Sequence, residues 1–186
     1  MKNLKLALVA AIISASCTND DTKTVVVNEE EVITTVRIIL DGGGETIILE
    51  SRDLDGDGPN APIITPVSGG ALIAGTTYTG SVRFLNELVK PAEDITVEVE
   101  EEGDNHQVFY QLPSSVGTIS YDDLDINDKP IGLNFTLVTN ATAATGNLMV
   151  TLIHKPNKTA SGVEAGDITN AGGSRDAEVS FPISVN

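Results

Sequence analysis

Cysteine, tryptophan and histidine are almost missing from these 186 residues, which hold one cysteine, no tryptophan and two histidines. A lone cysteine excludes an internal disulfide and any metal site built on several thiolates. With aromatics at 4% of the chain, a stacking platform for sugars or bases is poorly supplied. Beyond the first sixteen residues no segment approaches the ~18 apolar residues of a spanning helix. Catalytic signatures are missing as well. There is no G-x-S-x-G elbow, no phosphate loop and no dinucleotide fingerprint, and neither histidine has a nucleophile at a recognisable spacing. The chain is therefore not expected to be an enzyme. A hydrolase using paired acids is the one catalytic alternative left by so acidic a composition.

Basic residues are scarce too, with 11 Lys and Arg against 27 Asp and Glu. Two of the basic residues, Lys2 and Lys5, precede a short apolar run over residues 6–13, and Ser14, Ala15 and Ser16 lead to Cys17. That order reads as a cleavable secretory leader over residues 1–16. A single cysteine at its boundary resembles the lipobox of bacterial lipoproteins, with Ser14 standing where leucine is usual. Cys17 is the expected lipidation site and membrane anchor. Thr18, Asn19, Asp20 and Asp21 resemble the acidic export tag of Bacteroidota surface lipoproteins, which implies an outer-membrane, cell-surface location. Without the leader the chain keeps 9 basic against 27 acidic residues, a formal charge of −18. Such a surface repels nucleic acid and anionic headgroups and favours divalent cations or basic partners.

What is present is β pattern. After a tether over residues 17–30, short runs rich in β-branched residues follow one another to the end of the chain, forming one domain over residues 31–186. Residues 32–40 and 45–50 flank Asp41-Gly42-Gly43-Gly44, a hairpin turn. In residues 77–85, Tyr78, Gly80, Val82 and Phe84 share a face. Residues 94–100 alternate, which predicts a strand with Ile95, Val97 and Val99 inward. Residues 108–112, 117–121, 131–139 and 146–155 continue the series, the last with Leu148, Val150, Leu152 and His154 on one side. Residues 177–185 close it, and Pro182 predicts an edge or a bulge there. Residues 85–89 and 157–166 are the two places where a helical turn is expected. The fold predicted is an all-β, antiparallel immunoglobulin-like sandwich of eight to ten short strands, with an open barrel as the alternative. The polar stretch 156–176 is long for a hairpin loop, a length associated with mobile or binding elements.

Three acidic groups are candidate metal ligands. Asp53, Asp55 and Asp57, followed by Gly58, match the opening half of a calcium loop and resemble dockerin and thrombospondin-type repeats. Position 12 of an EF-hand would hold a bidentate Glu and here holds Ile64, so a calcium ion would need further oxygen ligands. Asp123, Asp125 and Asn127 repeat the spacing without the glycine and read as a plain turn. Glu98, Glu100, Glu101, Glu102 and Asp104 lead into His106. A borderline metal such as zinc would take His106 with carboxylates such as Glu100 and Glu102. His154 has no motif spacing to His106 and reads as a satisfied core or edge residue.

The stretches SRDLDGDGPNAP, YTGSVRFLNELVKPAEDITVEVEEEGDNHQVFY and NLMVTLIHKPNK resemble flavobacterial cell-envelope lipoproteins labelled "type 1 periplasmic binding fold superfamily protein". The resemblance spans most of the chain after the leader. It implies a binding or accessory lipoprotein beside a TonB-dependent outer-membrane receptor, and brings no ligand or active residue with it. The fold in that label, a two-lobed α/β protein with parallel strands, contradicts the strand pattern. A structural or adhesion-type module rigidified by calcium is the other non-catalytic reading.

Overall fold

A computed structural model of the chain describes residues 31–56, 60–68 and 71–186. The leader, Cys17, the residues after it and Asp57 lie outside the described residues.

Ten strands are present among the described residues: β1 (Thr35–Gly42), β2 (Glu45–Arg52), β3 (Ile63–Ser68), β4 (Thr77–Asn86), β5 (Glu93–Asp94), β6 (His106–Gln111), β7 (Gly117–Tyr121), β8 (Asn134–Thr139), β9 (Ala144–His154) and β10 (Ser174–Val185). They form two antiparallel sheets. One has seven strands, with β3, β2, β1, β4, β8 and β7 side by side and β5 paired to β4; the other runs β10-β9-β6. Two separate sheets facing each other make a sandwich, as the pattern of short alternating strands predicts, rather than a barrel.

Alternation decides what fills the space between the sheets. Tyr78, Val82 and Phe84 of β4 are buried to 1% exposure or less and meet Leu148, Val150, Leu152 and Phe181 from the smaller sheet. Gly80 falls in the same row because a β-carbon there would lie 2.3 Å from the Phe135 ring. Register across the two strands demands the missing side chain. Pro182 sits in β10, which pairs only with β9 at that point and so forms an edge.

Residues 94–100 depart from expectation. Apart from the short β5 at Glu93–Asp94, this stretch forms a helix, α1 (Thr96–Glu101), not a strand. Ile95 and Val99 are buried at 5% and 0%, whereas Val97 is 52% exposed. Spacing of four residues places the two buried side chains on one helical face, so tertiary packing overrides a run of β-forming residues. The turn expected within residues 85–89 carries no helix; the one expected within 157–166 holds a 3-10 turn at Val163–Ala165. The strand Ile63–Ser68, which runs through Pro66 opposite Leu49, is not announced by the β pattern of the sequence.

The long segment after β9 is folded back. Val163 and Ala171 are buried against Phe109 and Ile153. Those two residues have the opposite parity to Val108 and Leu152, so the segment covers the outer face of the smaller sheet.

Candidate metal centre

The two histidines, 48 positions apart in sequence, are direct cross-strand partners: His106 opens β6 and pairs with His154 at the end of β9. Both have the parity of the core-facing residues Val108 and Leu152, so both imidazoles project inward at one end of the sandwich. Their ring centroids are 4.7 Å apart at an interplanar angle of 67°.

β10 brings the third residue. Its pairing with β9 slips between Arg175 and Ala177, and the residue left over is Asp176. A bulge of this kind re-aims a side chain out of the regular alternation. It turns the Asp176 carboxylate toward the histidines, with Oδ2 3.9 Å from His106 Nε2. The strand can start this close because Gly173 has φ +74° and no β-carbon, which would lie 2.3 Å from the His154 carbonyl oxygen.

Glu31 comes from the other sheet's side. The segment entering β1 is pinned by Thr34, whose N–H and hydroxyl both donate to the Leu85 carbonyl and whose hydroxyl accepts from the Glu87 N–H. Three residues upstream, Glu31 reaches across the end of the sandwich. Its Oε1 lies 3.1 Å from His106 Nε2, and its Oε2 lies 3.7 Å from His154 Nδ1.

Glu31, His106, His154 and Asp176 thus offer one donor atom each, all within 4.8 Å of one another. Side-chain exposure is 1%, 0%, 8% and 5% in that order. Glu31 Oε2 is buried with no hydrogen-bond partner among the described residues. On the far side of its ring, His106 Nδ1 lies 3.1 Å from the Glu102 carbonyl oxygen. A carbonyl only accepts, so Nδ1 carries the proton. Nearby, burial first, and then the negative charges of Glu31 and Glu102, hold the Glu98 carboxyl above its ordinary value against an opposing pull from His106.

The acids expected to support His106 from its own turn are not the ones its Nε2 meets. Glu102 contributes its backbone carbonyl, and the Glu100 side chain is exposed on α1. The partners come instead from residue 31 and residue 176, at the two ends of the domain's sequence. His154, expected to be a satisfied core or edge residue, is the fourth member.

The Asp53 turn follows β2. Asp53 Oδ1 accepts from the Asp55 N–H, and Asp55 Oδ2 accepts from the Asn60 side chain at 2.7 Å. That last bond, against an opposing effect of burial, holds the Asp55 carboxyl below its ordinary value. Asp57 lies outside the described residues.

In the Asp123 run the carboxylates are engaged by the protein. Asp123 accepts from the N–H groups of Gly132 and Asn134, and Asp125 Oδ1 from those of Asn127 and Lys129. Asp125 Oδ2 accepts from Lys158 Nζ, whose other two bonds go to the carbonyls of Gly103 and Pro130. These contacts are those of a structural turn.

Comparison with models of known protein families, with curated proteins and with solved structures finds no match to this chain.

Proposed function

We propose that this protein is a lipid-anchored cell-envelope module: a β-sandwich held by Cys17 at the outer membrane and acting in binding or as an accessory to an uptake receptor. The observation that carries this reading is the lone Cys17 directly after a leader-like segment, and the sealing of the histidine–carboxylate cluster argues against a catalytic use of those groups. The groups best suited to acid–base or metal chemistry are at most 8% exposed and all four point at one another. A catalytic centre keeps a position open to substrate, whereas a closed set of protein donors serves structure. Function then falls to the outer surface of the sandwich, where a strongly acidic face suits cationic or metal-bearing partners.

The test is made in cells. A clickable fatty acid should label the wild type in the membrane fraction, and Cys17→Ala should abolish both the label and the membrane retention. Protease added to intact cells should digest the wild type, as expected for a surface protein. A soluble, unlabelled wild type would overturn the reading.

The solvent-facing turn carrying Asp53 and Asp55 supports a second reading, a module rigidified by calcium with Asp57 as a further ligand. Calcium at ~10 mM with a Kd near ~0.1 mM would add about 2.7 kcal/mol of stability. Magnesium at equal ionic strength and Asp55→Asn are the controls, and equal effects of the two ions would remove calcium from consideration.

A further inference from the structure

We propose that Glu31, His106, His154 and Asp176 coordinate one zinc-class divalent cation, and that this ion clasps the segment entering β1 to the rim of the three-stranded sheet. The inference goes beyond the envelope-module reading and does not depend on it.

The first argument is hydrogen-bond bookkeeping. His106 donates through Nδ1 to the Glu102 carbonyl, so a neutral ring turns the lone pair of Nε2 toward Glu31 Oε1, 3.1 Å away. Two acceptors at that distance repel unless a proton or a metal cation lies between them. The second Glu31 oxygen is buried and lacks a hydrogen-bond partner among the described residues, although it faces His154 Nδ1. One metal ion against these atoms would engage the Nε2 lone pair and the unpartnered Glu31 oxygen together.

The second argument is charge balance. Two carboxylates and two neutral imidazoles sum to −2, which a single divalent ion cancels.

The third is ligand type and support. Two imidazole nitrogens and two carboxylate oxygens suit zinc and its neighbours, and are wrong for calcium, which takes oxygen alone. A metal-ligating histidine characteristically gives its other N–H to a backbone carbonyl, as His106 does to Glu102. Tetrahedral bonds of about 2.0–2.1 Å would place donors roughly 3.4 Å apart, so donors now up to 4.8 Å apart would draw together around the ion.

The clasp follows from where the ligands originate. His106, His154 and Asp176 lie side by side on the three strands of one sheet, whereas Glu31 belongs to the chain that runs into the other. An ion bound by all four cross-links the start of the domain to its last strand.

The experiment uses the full chain in detergent, stripped with a chelator and then loaded with zinc sulfate or cobalt chloride. One zinc should be retained per chain and the melting temperature should rise. Cobalt should give the intense visible bands of a four-coordinate ion. Glu31→Gln and His154→Ala should each weaken zinc at least ~10-fold. Glu45→Gln, an exposed residue paired with Gly42 at the far end of β1 from Glu31, should leave zinc affinity at the wild-type value. Failure of the wild type to retain a stoichiometric ion, or a pale six-coordinate cobalt spectrum, overturns the site. Undiminished zinc affinity in Glu31→Gln overturns the clasp. A wild type that does not respond to zinc, yet loses stability on Glu31→Gln, would identify an imidazolium–carboxylate pair instead.

Discussion

Replacing Lys158 with methionine should unfasten three loops at once. The Lys158 side chain is 6% exposed, and its ammonium donates to the Gly103 carbonyl at 2.6 Å and to the Pro130 carbonyl and Asp125 Oδ2 at 2.8 Å each. Three N–H donors therefore meet three acceptors. Burial lowers the ammonium's pKa, and the Asp125 carboxylate opposes that shift, so the lysine pays for desolvation while its partner gains. Methionine keeps the apolar stem and deletes every donor. Breaking a buried pair by removing one member costs ~3–5 kcal/mol. Asp125 Oδ1 would retain the N–H groups of Asn127 and Lys129, which argues for the lower part of that range. A loss of about 3–4 kcal/mol would be a large share of the ~5–15 kcal/mol typical of a folded domain. At roughly 2–4 °C per kcal/mol, the melting temperature should drop by about 6–16 °C. Chemical denaturation monitored by circular dichroism measures this directly. Combining Lys158→Met with Asp125→Asn should restore part of the loss, because the stranded charge goes with it. A single-variant loss under ~1 kcal/mol would refute the reasoning and place the ammonium in water.

Three further outcomes follow from the packing. Val99→Ala should cost roughly 1–3 kcal/mol while Val97→Ala stays within about 0.5 kcal/mol, since only Val99 is buried; equal losses would return this stretch to a strand. Gly80→Ala should destabilise by ~1–3 kcal/mol in a thermal melt, because its methyl group would enter the Phe135 ring's space, and a neutral result would mean that the ring can move aside. Burial pushes the Asp125 carboxyl up, but hydrogen bonds from Lys158, Lys129 and Asn127 outweigh it and hold the group below its ordinary value. A carboxyl depressed in the folded state contributes stability that is complete above the unfolded value of ~3.9 and is lost as pH falls through the folded one. Asp125→Asn should therefore flatten the acid limb of the stability profile below pH ~4, and an unchanged limb would assign acid sensitivity to other groups.

Strand after strand could be read from residue order because a period of two is a local property. The row Tyr78, Gly80, Val82 and Phe84 and the row Leu148, Val150, Leu152 and His154 each announce which face is inward, and the burial follows them. Local pattern failed at Ile95 to Val99, where the alternation V-E-V-E is compatible with a strand while the i, i+4 pair is compatible with a helix. Only the partner surface chooses between the two periods, and here it chose the helix. The sequence by itself determined the β composition, the acidic surface and the inward parity of His154. It could not determine the centre the two histidines form. Register set His106 opposite His154, a bulge turned Asp176 inward, and the crossing from one sheet to the other brought in Glu31. Each of those is a relation between segments distant in the chain, and a residue's neighbours in sequence carry no record of its neighbours across a sheet.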